Sequence, residues 1–398
     1  MYIWNEFVFN NAGDVHSLRI LEDFKKIRHL NNIVDESTLS SLLRALYLSY
    51  TATQAESPFN QPDRVTNYHS LLQKEQNFDQ ELINTEAEFD VMFERMKAQK
   101  GLLFRGLTEA KYAMYNMAQR KWIEQELNKK YASYPDFLNA LLKNARSENN
   151  GILFKYLKNM GFFGENDLTI LSYLQHHHCP TPLLDWSENF QVGIYFATLH
   201  EPESKPKKYI DKYSSVYFLE KKYFEELSVN RIMYESIKAN EAMLRENIME
   251  VLINENLRVD GELSFETLRH LVLSNIGEFL IAEMSKIEHL MPIPVSYLSD
   301  INEQYPIPKY LLNNLNIISQ EGSFTWSNDP LMPLEVVIRR ENSKSEAHKD
   351  NLISYCININ KKLNGYIQKK LIASGIGEDF IYANPNKLAA NIFEKTVS

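Results

Sequence analysis

The sequence is poor in cysteine and glycine, has no excess of positive charge and contains no long hydrophobic run. Two cysteines in 398 residues, Cys179 and Cys356, exclude a disulfide framework and a thiolate zinc site, and they fit a reducing compartment. Thirteen glycines are few for this length, and none is spaced as GxxxxGK or GxGxxG. Gly375 and Gly377 lack the third glycine, so neither P-loop nor dinucleotide-fold nucleotide binding is expected. The 43 basic and 52 acidic residues leave a net charge of -9. That balance works against nucleic acid or an anionic membrane as partner unless one face breaks the trend. No apolar run approaches the ~18 residues needed to span a bilayer. The opening MYIWNEFVFNNAGDVHS lacks the basic and apolar regions of a secretory signal. The expectation is an acidic, cytoplasmic protein without a membrane partner.

What is present is enough for a sizeable core: 44% hydrophobic and 24% charged residues, in a length that suggests two or three units. Residues 1–99 read as an N-terminal helical region. Val15–Arg28 and Ser37–Ala52 carry apolar residues at helical spacing, and a charged helix runs from about Asn67 to Lys100. Residues 100–398 read as an α+β domain. LLFRGL is a buried strand, and helices follow around Trp122, at FLNALLKNA and at DLTILSYLQHHH. LLDWS reads as a strand, FQVGIYFATLH as a buried helix and Ser214–Leu219 as a strand, before a charge-rich helical insertion at about 220–288. From Met291, MPIPVSYL, LNIISQEGSFTW and LEVVIRREN read as β runs separated by prolines, and NGYIQKKLIASG as a last helix. The fold class is α+β: a small, mainly antiparallel sheet surrounded by many helices.

Three segments carry residues that chemistry uses. Arg105 ends an apolar strand, where burying a guanidinium without an anion costs several kcal/mol. It fits either a phosphate or ribose site, with Gly106 letting a ligand approach the backbone, or a structural ion pair. The second segment is QHHHCPTPLLDWSENFQVGIYFA, 175–197. Three successive histidines cannot share one helix face, so His176, His177 and His178 form no metal triad by themselves. Asp185, inside an apolar strand, needs a partner, and Arg105 and Arg120 are the candidates. Trp186 suits either a ring ligand or the core, and nothing else supports Cys179 as a thiol nucleophile. In the third segment Gln320 and Glu321 read as strand residues ahead of Gly322, pointing in opposite directions, so that one faces a cleft. A solvated edge glutamate is the alternative.

Together these segments resemble the FRG domain family, named for its Phe-Arg-Gly motif, here Phe104, Arg105 and Gly106. The central family pattern is matched at Gln175, His176, Pro180, Thr181, at the run Leu183, Leu184, Asp185, Trp186, Ser187, and at Tyr195, Phe196 and Ala197. It departs with His177 for tyrosine, His178 for glycine, Pro182 for arginine and Gly193 for alanine. Gln320, Gly322 and Phe324 match a later Gln-x-Gly-x-Phe strand, and Arg120 sits where the family has a second arginine. The resemblance spans about Gly101 to Ile392. The order of motifs is also similar to ADP-ribosyltransferases of the arginine-serine-glutamate kind. That similarity implies an ADP-ribosyltransferase-like split sheet and a glycosyltransferase that uses NAD as substrate, with no metal, to modify a macromolecule. In that reading Arg105, Gln320 and Glu321 are catalytic, and Arg105, Gly106, Arg120, His176, Asp185, Trp186 and Ser187 hold NAD. The family association further implies a bacterial toxin or antiphage defence effector, with a protein or nucleic acid acceptor and a regulatory partner or antitoxin. An NAD glycohydrolase and a non-catalytic ligand-sensing module are the alternatives.

Overall fold

The computed structural model describes residues 66–162, 166–199, 206–221, 241–254, 264–270, 285–300, 315–342 and 355–383, with isolated positions between them. The helices expected at Val15–Arg28 and Ser37–Ala52 lie outside the described residues, as does most of the insertion expected at 220–288. Among the described residues no helix is long and apolar enough to cross a membrane.

Seven strands form one mixed, mostly antiparallel sheet. They are β1 (Asp79–Ile83), β2 (Leu102–Leu107), β3 (Leu183–Ser187), β4 (Tyr213–Glu220), β5 (Val295–Leu298), β6 (Gly322–Ser327) and β7 (Tyr355–Asn360). Their order is β1-β7-β4-β2-β3-β6-β5, and only β1 and β7 run parallel. β2 and β4 are in register from Leu102↔Glu220 to Leu107↔Ser215, whereas β2 and β3 share one registered pair, Phe104↔Ser187. The sheet is therefore two well-laddered halves joined at a single point, past which β2 and β3 no longer pair with each other.

Helices cover both faces, and most begin at a side chain that caps them. Thr85 and Glu88 form a capping box at the start of α2 (Glu86–Lys97), which follows a short α1 (Leu71–Lys74). Asn116 and Gln119 do the same for α3 (Met117–Glu124). Ser133, Asn166 and Asn189 cap α4 (Tyr134–Asn159), α5 (Asp167–His176) and α6 (Phe190–Ala197). Further along come α7 (Glu241–Asn254), α8 (Leu315–Ser319), α9 (Leu334–Asn342), α10 (Asn364–Ala373) and α11 (Glu378–Ile381). Alternate residues of β2 and β4 enter two separate cores. Leu103 and Tyr217 join the cluster packed by α3, α4, α5 and α9, while Phe104 and Val216 join the one packed by α2, α6 and α10.

Three elements differ from the sequence reading. The single charged helix expected over Asn67–Lys100 is α1, β1 and α2: Thr85 starts a new helix, and DQELI pairs with β7 at the far end of the chain. The sequence reading does not place β7 at all. LEVVIRREN is the helix α9 rather than a strand, because Leu334, Val337 and Ile338 recur at helical spacing and are buried. LNIISQEGSFTW is α8 followed by β6, so Gln320 and Glu321 lie in the turn ahead of the strand and not within it. Glu321 takes a left-handed conformation, φ 50°, which ends the α8 turn.

Candidate functional site

The point where the two sheet halves meet is lined by polar side chains from several segments. A cleft of about 230 Å³ is bounded by Arg105 of β2, Gln175 and His176 of α5, Asp185 and Ser187 of β3, and Gln320 after α8. Arg105 reaches across the join from β2 to β3. Its Nη1 donates to the Asp185 carbonyl at 2.7 Å and lies 3.5 Å from the Asp185 carboxylate. Its Nε is buried and has no hydrogen-bond partner. Burial lowers the Arg105 pKa, and the Asp185 carboxylate opposes that.

Asp185 is held from its other side as well. Gln175 Nε2 donates to it at 2.7 Å, and Thr181 donates to the Gln175 carbonyl oxygen, fixing the amide's orientation. The carboxylate keeps 40% of its side-chain exposure, so it remains open to the cleft. Arg120, the other partner considered for Asp185, is not in this cleft. It donates to the Ala113 carbonyl at 2.8 Å and lies over the Tyr112 ring.

Ser187 and Gln320 line the cleft but spend their polar groups on the fold. The Ser187 hydroxyl donates to the Gln320 carbonyl at 2.6 Å, and the Gln320 amide donates to the Ile381 carbonyl at 2.9 Å. Trp186 contributes to the wall, yet it is buried and its indole N–H donates to Thr325 at 2.9 Å. Glu321 is exposed, accepts from the Asn189 side chain at 3.0 Å, and is not among the cleft residues.

Gly106 lines the cleft, and it also lets a helix approach closely. A Cβ on it would lie 1.9 Å from the Gly193 carbonyl oxygen and 2.6 Å from the Ala197 nitrogen. The backbone of α6 takes the space a side chain would need at this glycine. Gly193 is matched to the same contact, since a Cβ there would meet the Phe104 Cβ at 3.0 Å. The Phe-Arg-Gly run thus sends Phe104 and Gly106 under α6 and leaves Arg105 for the opposite face.

The three histidines separate. His176 lines the cleft, packs edge-on against Phe324 and has a buried, unpartnered Nε2. Burial pulls its pKa below the ordinary value, with Asp185 opposing, so its neutral form is favoured. His177 packs on Tyr173 at 4.4 Å, and His178 takes a left-handed φ of 60° at the cleft mouth. Among the described residues, no His, Cys, Asp and Glu side chains group as a metal site. Burial raises the Cys179 thiol pKa, the reverse of what a thiolate nucleophile needs.

Residues 100–206 match the FRG domain family model. The FRG match contains Arg105, Gln175, His176, Asp185 and Ser187, so one side of the cleft and its helix-strand contact at Gly106 are built from it. Gln320 enters the cleft from outside the matched span. No curated protein and no solved structure matches the chain.

A larger cavity, about 680 Å³ among the described residues, lies on the other side of Arg105 and shares Arg105 and Met117 with the cleft. Sequence reading singled out Arg120 there but missed Lys111, Tyr112 and Lys208, because basic and aromatic residues scattered over a hundred positions carry no motif.

Proposed function

We propose that the cleft binds NAD and that the protein is an ADP-ribosyltransferase-like enzyme whose cleft carboxylate is Asp185 rather than Glu321. The observation that carries this reading is the convergence of Arg105, Asp185, Ser187 and Gln320, from three segments, on one cleft where the sheet divides. The Arg105 guanidinium lines the cleft with only Nη1 bonded, which leaves a terminal nitrogen for an anionic or ribose oxygen. In transfer, the nicotinamide–ribose C–N bond breaks with its electron pair leaving on nicotinamide. An acceptor nucleophile bonds to the ribose carbon and gives up its proton. A carboxylate beside the ribose stabilises the positive charge that builds there, and Asp185 is the carboxylate in the cleft. With water as the acceptor the same pocket would be a glycohydrolase. A toxin or defence role belongs to this proposal through the family association alone.

A second reading is favoured by the hydrogen bonds of Ser187 and Gln320. Both groups are used to hold β3, α8 and α11 together, which suits a ligand-sensing module without chemistry. The deciding experiment is nicotinamide release from NAD by the purified protein, with and without total cell lysate, beside Arg105→Ala and Asp185→Asn. Release that requires lysate and disappears in both variants supports transfer. Release without lysate, yielding free ADP-ribose, supports hydrolysis. NAD binding with no release supports the sensing module.

A further inference from the structure

We propose that the larger cavity binds a nucleoside phosphate, its phosphate between Arg105 and Arg120 and its base against Tyr112 and Leu107. Five lysine and arginine side chains line this cavity against two carboxylates, Asp211 and Glu124, in a chain whose overall charge is -9. Asp211 is already taken by Lys111, 3.2 Å away. Among the described residues the Arg120 side chain makes no ion pair; its guanidinium donates to the Ala113 carbonyl and lies over the Tyr112 and Tyr115 rings. Arg105 has a single long contact with a carboxylate and a buried, unpartnered Nε. Two half-buried guanidinium groups line one cavity and repel each other, and an anion between them would relieve that repulsion. A planar guanidinium pair fits the oxygens of a phosphate, and the remaining lysines add to the field.

The size and the wall argue for more than inorganic phosphate. A volume of about 680 Å³ is in the range of sites for small organic ligands. Tyr112 is half-buried, with its ring at the cavity and its carbonyl fixed by the Tyr217 hydroxyl at 3.0 Å. An aromatic wall beside paired cations is the arrangement that holds a base and its phosphate at once.

This site does not require the cleft to act on NAD. The two share Arg105, so Arg120, which lines only the larger cavity, separates them. Arg120→Gln should weaken AMP binding while leaving NAD binding unchanged. Binding of AMP, inorganic phosphate and a short single-stranded oligonucleotide would be measured by calorimetry on the full chain. The variants are Arg120→Gln, and Lys208→Glu as a partly exposed change that leaves the core alone, each with its melting temperature recorded. The expected result is AMP binding at least tenfold tighter than phosphate, weakened at least tenfold by Arg120→Gln and reversed in salt dependence by neither variant. Lys208→Glu should weaken it by a smaller factor at low salt. Oligonucleotide binding as tight as that of AMP, falling steeply with salt, would place the nucleotide in a strand; AMP binding alone would make it a free nucleotide. Absence of binding to both nucleotide ligands, phosphate as tight as AMP, or affinity unmoved by both variants would overturn the proposal.

Discussion

Lys74 and Arg105 both place a cation against Tyr217, and the fold treats them differently. Lys74 is fully buried, and its ammonium donates to the Ala110 carbonyl, Ser215 and Asn358 at 3.1, 2.7 and 2.9 Å while lying 4.5 Å from the Tyr217 ring centre. Arg105, paired in register with Tyr217 across β2 and β4, has one good acceptor, one long one and an orphaned Nε. Burial lowers the pKa of both, so each charge costs the fold some stability. At Lys74 that cost is offset within the chain, with three acceptors for three donors. At Arg105 it is offset only in part, beside two cavities. The first arrangement ties α1 to β4 and β7; the second leaves donors free for a ligand.

Lys74→Met breaks this comparison most forcefully. It removes the ammonium from the Ala110 carbonyl, Ser215 and Asn358, of which Asn358 keeps the Ser215 hydroxyl, and about 3 kcal/mol of unfolding free energy should be lost. The midpoint of chemical denaturation would show it. Nucleotide and NAD affinities of the protein that remains folded should stay within about twofold. A large stability loss accompanied by an equal loss of binding would mean that the two cations belong to one unit.

Arg105→Ala is the reverse case. Asp185 keeps its bond from Gln175, so stability should fall by only about 1 kcal/mol. Ligand affinity should fall by roughly tenfold or more, as for a charge-assisted contact. A melting temperature that collapses with no change in affinity would make Arg105 a structural residue like Lys74.

His176 offers a finer test through pH. Its folded pKa lies below the ordinary 6.5 because burial disfavours the imidazolium. The unfolded chain therefore takes up a proton first as pH falls. The contribution of His176 is complete above about pH 6.5 and is lost as pH drops through its lower folded pKa. His176→Phe, which fills the same space against Phe324, should flatten the loss of stability between pH 7 and pH 5 by about 1 kcal/mol. Denaturation midpoints of both proteins across that range would show the difference; parallel curves would mean that the imidazole is already solvated.

The contrast between the two cations was only half legible in the sequence. Arg105 stood out because a charge closed an apolar strand, and LLDWS supplied a carboxylate in the same kind of setting. Lys74 gave no such signal: LLQKEQ reads as one more charged helix, and its partners Ser215 and Asn358 are 141 and 284 positions away. The strand elements were read where apolar residues run together, as in LLFRGL and SSVYFL. They were missed where pairing depends on distant chain, as with β1 and β7. In LEVVIRREN the β-branched residues pull the local pattern toward strand, while the burial of Leu334, Val337 and Ile338 decides for helix. At Gly106 the missing side chain is legible in the sequence, but that α6 uses the space is visible only in the fold.

The smallest effect tests the assignment of Asp185. Glu321 occupies the position that the order of motifs would give to the catalytic glutamate, yet its side chain is exposed and bonded to Asn189 at 3.0 Å, outside the cleft. Glu321→Ala should therefore change NAD affinity and nicotinamide release by less than about twofold, the difference expected for a solvated contact. Asp185→Asn keeps the shape and the Gln175 neighbour but removes the charge, and release should fall by about a hundredfold. Glu321→Gly adds a control on the backbone. At φ 50° a glycine relieves the left-handed conformation, and stability should rise by up to about 1 kcal/mol with activity unchanged. If instead Glu321→Ala abolishes release while Asp185→Asn retains it, the turn ahead of β6 must swing the glutamate into the cleft when NAD binds. Arg105 and Asp185 would then be the fixed ion pair that their 3.5 Å contact already permits.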